Sequence, residues 1–83
     1  MSYRLLVDVE IVEILAALPK KTRMRLLDHF HKLRSSPNDF SDYHERDNTG
    51  RRAEISVFSG HAIHYWIDHA DQHIKILALK PAD

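Results

Sequence analysis

The sequence contains no cysteine, no long apolar run and no excess of charge of either sign. Without cysteine, a disulfide framework and a zinc site built on thiolates are excluded. No apolar run approaches the roughly 20 residues that a bilayer-spanning helix needs. The first residues, MSYRLLVDVE, lack the basic segment and the long apolar stretch of a signal peptide. We therefore expect a cytoplasmic protein with no membrane partner.

The chain is also too short to divide into two cores. Its 83 residues predict a single domain, residues 1–83, of modest stability. The hydrophobic fraction of 43% and the charged fraction of 29% are typical of a folded soluble protein rather than a disordered one.

The zero net charge conceals an uneven distribution of charge. Residues 20–34, KKTRMRLLDHFHKLR, carry six Lys or Arg side chains against one Asp. A neutral chain can therefore still attract an anionic partner locally, because local fields act at close range. The alternative interpretation is that this stretch is the solvated side of a helix.

The first half of the sequence predicts a short strand followed by two helices. Tyr3 to Val7 alternates as a strand does, and Asp8 can cap a helix. Pro19 ends that helix and suits the start of the next, which runs to about Ser35. The apolar stripes are Ile11, Val12, Ile14, Leu15 and Leu18 in the first helix and Leu26, Leu27, Phe30 and Leu33 in the second. So tight a connection predicts an antiparallel helical hairpin.

The second half predicts a loop and three strands. Residues 35–50, SSPNDFSDYHERDNTG, are rich in turn formers and predict a connecting loop. The strands are RRAEISVF, HAIHYWID and HIKILAL, and Ser59–Gly60 predicts a tight turn between the first two. The predicted fold is α+β with the order β-α-α-β-β-β, an antiparallel sheet with the helical hairpin packed on one face.

Alternation along the strands predicts which side chains meet the helices. On the helix side we expect Ala53, Ile55 and Val57 of the second strand and Ile63, Tyr65 and Ile67 of the third. On the solvent side we expect Arg52, Glu54, Ser56, Phe58, Ala62, His64 and Trp66. The last strand has apolar residues in both phases, so its core face stays unassigned. The solvent side suits a nucleic acid, with cations for phosphates and a ring for stacking, although such a face is more often the ordinary polar side of a half-exposed sheet.

Four histidines stand close together in HAIHYWIDHADQH, residues 61–73. His61 and His64 are three apart in a strand, so they point to opposite faces and do not easily share a metal ion. His69 and His73 have a zinc-like spacing only on a helix, and here we expect them to bracket a hairpin turn capped by Asp68 or Asp71. We therefore expect no metal site, and His64 is the candidate functional histidine.

The hairpin SGHAIHYWID followed by HIKILAL resembles the central hairpin of the RelE/ParE toxins of type II toxin–antitoxin systems. The N-terminal YRLLVDVEIVEILAALPKKTRMRLLDHFHKL, with its Leu-Pro joint, is similar to that family's first strand and helical hairpin, so the resemblance covers nearly the whole chain. It implies a cognate antitoxin as a partner and one of two activities. RelE-like members are mRNA interferases that cleave mRNA in the ribosomal A site, whereas ParE-like members inhibit DNA gyrase. RelE-like cleavage uses no metal, so the resemblance implies no cofactor.

The functional residues of that family match this sequence only in part. Ala62 stands at the position of the family's third-strand arginine. The positions of the second-strand lysines of RelE correspond to the region of Ala53 and Ile55. After the fourth strand, Lys80 is the comparable basic group.

Other residues can substitute for the family's catalytic groups. The candidate catalytic residues are Arg52 for the phosphate, Glu54 as a general base and His64 as a general acid. The candidate RNA-binding residues are Arg51, Trp66, Lys75, Lys80, Lys20, Lys21 and Arg23, with Trp66 stacking on a base.

Two other functions fit the same residues. The chain can be a non-enzymatic binding module that receives an antitoxin-type peptide, which orders as it binds, or a ParE-like gyrase inhibitor. Toxicity on expression, relieved by a neighbouring gene, separates the two toxins from the binding module. Ribosome-dependent cleavage then separates the RelE-like toxin from the ParE-like one.

Overall fold

The computed structural model describes residues 2–82, which form two helices and a five-stranded sheet. In chain order the elements are β1 (Arg4–Val7), α1 (Val9–Ala17), α2 (Lys20–Ser35), β2 (Tyr43–Arg46), β3 (Arg52–Phe58), β4 (His61–Asp68) and β5 (His73–Pro81). The strands lie in the order β1-β5-β4-β3-β2, with β1 parallel to β5 and every other pair antiparallel. The predicted α+β fold is confirmed. Among the described residues, no helix has the length and apolar character to cross a membrane.

The two helices form the predicted hairpin around Pro19. Asp8 is the extended N-cap residue of α1, and the C-cap residue Leu18 donates its N–H to the carbonyl of Leu15. Pro19, with φ of −53°, precedes α2 at a place where its missing N–H costs no helical hydrogen bond. Arg23 fastens the joint, because its Nη1 donates to the Leu18 carbonyl oxygen over 3.2 Å.

The core lies between this hairpin and one face of the sheet. Its buried residues are Ile11, Leu15, Leu26, Phe30 and Leu33 from the helices and Ile63, Tyr65, Ile74, Ile76 and Leu79 from the strands. Val12, Ile14 and Leu27 belong to the predicted apolar stripes but are 53%, 39% and 36% exposed. The apolar stripes are therefore wider than the surface that the sheet covers.

Strand β2 was predicted as part of a loop, and that prediction is wrong for Tyr43–Arg46. All four of its residues are exposed, so their sequence shows no apolar alternation. Pairing with β3 stabilises the strand instead. Asp42 extends the pairing, because its N–H donates to the Ile55 carbonyl over 2.8 Å and its Oδ2 accepts from the Val57 N–H over 2.6 Å.

The β3–β4 connection is the tight turn that the sequence predicts. Ser59 and Gly60 have φ values of 51° and 76°. Two consecutive positive φ values are what a type I′ hairpin turn requires, and its twist matches that of the strands.

A β-bulge in β5 explains why this strand shows no clear face in the sequence. Leu77 is the extra residue, because the register of the β4–β5 pair shifts there. Ile74 and Ile76 face the helices before the bulge, and Leu79 faces them after it. The alternation thus changes phase at Leu77, and apolar residues occupy both phases.

The side chains of β3 face the opposite way from the prediction. Ser56 Oγ lies 2.8 Å from Nε2 of His29 on α2, and Phe58 stacks on the same imidazole with ring centroids 4.2 Å apart. Glu54 is opposite the core residue Tyr65. Glu54, Ser56 and Phe58 therefore point toward the helices, and the prediction that they lie on the solvent side is wrong.

The reversal places Ala53, Ile55 and Val57 on the face away from the helices, which we call the open face. Ile55 has no exposed surface even there, since Tyr43 and His64 flank it on the neighbouring strands. Alternation assigns apolar residues to the core, but in β3 the helix-facing polar groups are satisfied by hydrogen bonds. Ala53 and Ile55 are buried among neighbouring strands instead, whereas Val57 is 47% exposed.

His29 makes the stability of the fold depend on pH. Its burial, with a smaller contribution from the charge of Lys32, lowers the pKa of His29 below the ordinary value of 6.5. His29 therefore takes up a proton more readily in the unfolded chain than in the folded protein. Its neutral form costs the folded protein no stability above pH 6.5, and the free energy of unfolding declines as the pH falls below that value. Between pH 7.5 and 5.5 we expect the free energy of unfolding to fall by up to about 1.4 kcal/mol per pH unit. Urea unfolding followed by Trp66 fluorescence measures this slope.

A matched pair of variants isolates the contribution of His29. His29→Gln keeps a polar group near Ser56 but cannot titrate, so we expect a flatter pH dependence. His31→Gln, an exposed change on the same helix, should leave the slope as it is. An unchanged slope in His29→Gln would contradict this role.

Candidate nucleic-acid interface

A groove of about 330 Å³ lies on the open face where β2, β3, β4 and β5 meet. It is lined by Glu45, Arg46, Asp47, Arg51, Ala53, His64, Leu77 and Ala78. The small side chains of Ala53 and Ala78 leave room among the charged ones. We call this site the open-face groove.

His64 is the half-buried imidazole of the open-face groove. Burial lowers its pKa below 6.5, and the charge of Lys80 lowers it further, while Glu45 acts in the opposite direction. The ring is therefore mostly neutral near pH 7. A neutral imidazole in a solvent-accessible groove can accept a proton from a bound hydroxyl group.

Arg51 is held in place by the turn between β2 and β3. Asp47 accepts hydrogen bonds from the hydroxyl and N–H groups of Thr49 and from the N–H and Nε of Arg51. These bonds, that of the Thr49 hydroxyl foremost, lower the pKa of Asp47 to about 2. The guanidinium carbon of Arg51 lies 5.1 Å from the ring centroid of Trp66, within cation–π range. A cation and an aromatic ring are thus already paired on this face.

Two lysines of β5 project from the same face. Lys75 is opposite Trp66 and Lys80 is opposite Ala62, and paired residues of neighbouring strands share a face. The predicted site residues that the structure brings together on the open face are Arg51, His64, Trp66, Lys75 and Lys80. They combine positive charge, a ring and a titratable group.

Arg52 and Glu54 do not join this group. Arg52 Nε donates to Glu54 Oε2 over 2.6 Å, and the Ser41 hydroxyl donates to Glu54 Oε1 over 2.7 Å. This network lies on the helix side of the sheet. The prediction that Arg52, Glu54 and His64 stand side by side is therefore wrong, because the sheet separates the first two from the third.

The basic residues at the start of α2 lie on a different surface. Lys20 and Lys21 are exposed on the helix, on the side of the sheet opposite the open face. Arg23 donates to the carbonyl oxygens of Ala16 and Leu18, at 3.5 and 3.2 Å. Arg23 thus closes the joint between the helices, and RNA binding by Lys20 and Lys21 stays a prediction.

Known structures share this arrangement of helices and strands. No protein-family sequence model matches the chain, and neither does any curated protein sequence. A chain of the archaeal RelE–RelB complex from Pyrococcus horikoshii is 27% identical, with a TM-score of 0.81 over 98% of this chain and 96% of that one. The chain has a RelE-like fold.

Two further structures resemble the RelE-like chain at lower identity. A chain of the toxin–antitoxin complex RelBE2 from Mycobacterium tuberculosis is 16% identical, with a TM-score of 0.83 and coverage of 99% and 100%. A mutant of the E. coli toxin RelE in the free state is 15% identical, with a TM-score of 0.74 and coverage of 100% and 86%. The predicted resemblance to the RelE/ParE family is confirmed, and it extends over nearly the full length of these chains.

Three charged residues of the open-face groove, Glu45, Arg46 and Asp47, are not among the predicted site residues. Glu45 and Arg46 lie on β2, which was read as part of a loop spanning residues 35–50. Structureless loops longer than about 12–15 residues are uncommon in compact domains. The length of that interval was therefore the one signal that pointed to a hidden strand.

The β4–β5 turn of the RelE-like chain holds the group of side chains best suited to a cation. Ligand atoms of Asp68, Asp71 and His73 lie within 4.8 Å of one another. However, Asp71 already accepts from Arg4 over 2.6 Å and lies 2.8 Å from His73 Nδ1, and Asp68 Oδ1 caps the turn by accepting the Asp71 N–H. The predicted aspartate-capped turn is confirmed, and Asp71 is already engaged by Arg4 and His73.

An apolar groove of about 350 Å³ lies on the helix side of the RelE-like chain. It is lined by Leu5, Val7, Val12, Leu15, Ala16, Arg23, Leu27 and Phe30. The exposed Val12 and Leu27 form part of its walls. Apolar surface of this kind, with a single charged side chain, marks a surface that another protein segment can cover.

Proposed function

We propose that this RelE-like chain is the toxin of a type II toxin–antitoxin system and cleaves ribosome-bound mRNA on its open face. The observation that carries the proposal is the RelE fold over nearly the whole chain, shared with chains from two complexes named as RelE–RelB and toxin–antitoxin RelBE2. The chemistry of the open face agrees with an RNA ligand.

RNA binding follows from the side chains on that face. Arg51, Lys75 and Lys80 supply positive charge for phosphates, which dominate affinity for nucleic acids. Trp66 supplies a ring on which a base can stack, and such stacking tolerates any sequence. We therefore expect affinity for RNA that weakens as the salt concentration rises.

Cleavage on this face uses the ribose beside the scissile phosphate. The 2′-oxygen bonds to phosphorus while the bond from phosphorus to the next 5′-oxygen breaks, which leaves a 2′,3′-cyclic phosphate and a 5′-hydroxyl. His64, neutral near pH 7, accepts the 2′-hydroxyl proton. Lys80 neutralises the charge that develops on the phosphoryl oxygens, and water supplies the proton to the departing 5′-oxygen. Glu45 stabilises the imidazolium that forms.

The apolar groove is the site that we assign to the antitoxin. Its lining is almost wholly hydrophobic, so the matching segment is an amphipathic helix that places apolar side chains against Val12 and Leu27. Arg23 at the same groove suits an acidic residue of that helix. Covering this surface is favourable at about 25 cal/mol per Å² of apolar area.

A second candidate function is a non-enzymatic binding module. It is favoured by Ala53, Ile55 and Ala62, which stand on the open face where the RelE/ParE resemblance places basic residues. In that case the open face holds RNA or protein without cleaving it. The gyrase-inhibitor alternative stays a prediction of the family resemblance.

Translating ribosomes provide the test. Purified chain is added to ribosomes stalled or moving on a defined mRNA, and the RNA ends are mapped by primer extension. We expect cuts that require the ribosome, and in cells a growth arrest that a small neighbouring gene relieves. Arrest with intact mRNA would instead favour gyrase as the target, and the absence of both arrest and cleavage would favour the binding module.

A further inference from the structure

A third, smaller cavity lies at the start of β3 and the end of β4, on the helix side of the sheet. Its volume is about 260 Å³. It is lined by Asn38, Arg52, Glu54, Trp66, Ile67 and His69. We call it the edge cavity. The open-face groove shares none of these residues, so the cleavage chemistry proposed above leaves the edge cavity unused.

Glu54 is the unusual feature of the edge cavity, because it is a carboxylate that is only 8% exposed. Burial alone would raise its pKa, but hydrogen bonds from Ser41 and Arg52 outweigh that effect and lower the pKa below its ordinary value. The group is therefore ionised. A carboxylate has about four acceptor positions, of which Ser41 and Arg52 use two. Two positions remain for a ligand with adjacent N–H donors.

Three further side chains supply polar groups to the same cavity. Arg52 uses its Nε for Glu54, so its terminal nitrogens can still donate. Asn38 is exposed and carries both an amide donor and an acceptor. His69 Nδ1 lies 3.1 Å from the Tyr3 hydroxyl, and when that hydroxyl donates, the proton of the imidazole sits on Nε2 and can also be donated.

We propose that the edge cavity binds a guanine base of RNA and so gives this chain a sequence preference, an inference that rests on the RNA-binding function proposed above. The Watson–Crick edge of guanine presents two adjacent donors, N1–H and N2–H₂, beside the acceptor O6. Glu54 accepts the two donors, and Arg52 or Asn38 donates to O6. Adenine, cytosine and uracil each present at most one donor group at that edge, beside acceptors, so they leave the buried carboxylate poorly matched.

The edge cavity is placed to receive a base from a strand bound on the open face. Arg51 directly precedes Arg52, the first residue of β3, and the two side chains leave opposite faces of the sheet. Trp66 contacts Arg51 and also lines the edge cavity. An RNA strand whose phosphate contacts Arg51 thus lies next to this end of the sheet. Its following base can turn around the end of the sheet into the edge cavity.

Mononucleotide binding to the isolated full chain tests the proposal. GMP, AMP, CMP and UMP are titrated separately, and chemical shifts of the Trp66 indole and the His69 ring are followed by NMR. We expect GMP to bind at least about tenfold more tightly than the other three, which is the discrimination of one good bidentate contact. Glu54→Gln should remove that preference, whereas Glu45→Gln in the open-face groove should retain it.

Loss of the Glu54 charge can also loosen its hydrogen bonds with Ser41 and Arg52. A second variant that leaves these bonds intact is therefore needed. Asn38→Ala changes an exposed loop side chain and should weaken GMP binding severalfold without altering the fold. Equal affinity for the four nucleotides in the wild type would overturn the proposal. So would displacement of GMP by N-acetylarginine amide at lower concentration, because the cavity would then suit an arginine of a protein partner.

The outcome is separate from that of the proposed function. A GMP preference in a chain that never cleaves mRNA refutes only the nuclease. Ribosome-dependent cleavage by a chain with no GMP preference refutes only the guanine pocket.

Discussion

His64→Ala is expected to lower the rate of RNA cleavage by about 10²- to 10⁴-fold, the usual contribution of a general acid or base. The variant removes the proton acceptor but leaves Arg51, Lys80 and Trp66 in place, so RNA binding should change little. Single-turnover cleavage of a defined mRNA on ribosomes measures the rate, and filter binding measures the affinity. His61→Ala is the matched control, because His61 lies on the same strand but points to the other face.

The pH profile gives the same hypothesis a second readout. Cleavage by a neutral imidazole declines as the pH falls through the pKa of His64, which lies below 6.5. Glu45→Gln removes a charge that raises this pKa, so the acid limb should move to lower pH. Lys80→Gln removes a charge that lowers it, so the limb should move to higher pH. Limbs that do not move in opposite directions, or a His64→Ala variant as fast as the wild type, would remove His64 from the mechanism.

Leu27→Lys is expected to abolish the complex with an antitoxin while leaving the toxic activity intact. Leu27 lines the apolar groove and is 36% exposed, so the change is tolerated in the free chain. In a complex it places an ammonium group in an apolar contact, next to Arg23 one turn earlier on α2. Burying an unpaired charge costs several kcal/mol, so we expect a loss of affinity of about 100-fold or more.

Co-expression with the small neighbouring gene provides the measurement. Wild-type chain should co-purify with the product and grow normally, whereas Leu27→Lys should purify alone and arrest growth. Ile14→Lys is the control, because Ile14 is 39% exposed on α1 but does not line the groove. If Leu27→Lys still co-purifies, or Ile14→Lys fails equally, the antitoxin binds elsewhere.

The sequence predicts most of the architecture because its strongest patterns are local. The three-and-four spacing of Leu26, Phe30 and Leu33 and the position of Pro19 define the helical hairpin. Ser59–Gly60 defines the central β-hairpin, and the alternation of β4 correctly places Ile63 and Tyr65 in the core and His64 and Trp66 opposite. These features depend on neighbours in the chain.

The site is harder to predict because it depends on contacts between distant residues. The polar side of β3 faces the helices, where Ser56 forms a hydrogen bond with His29, a residue 27 positions earlier in the chain. Glu45 reaches the open-face groove only because β2 pairs with β3. No alternation pattern contains either fact, so the prediction placed Glu54 beside His64 when the sheet lies between them.

The pairing of β1 with β5 joins the two strands that lie farthest apart in the sequence. Arg4 is aligned with His73 and Val7 with Ile76, so β1 has no partner during synthesis until β5 leaves the ribosome. Closing so long a segment is also entropically costly before any contact forms. The open face is therefore complete only after β5 has emerged, and nascent or truncated products remain without a finished sheet.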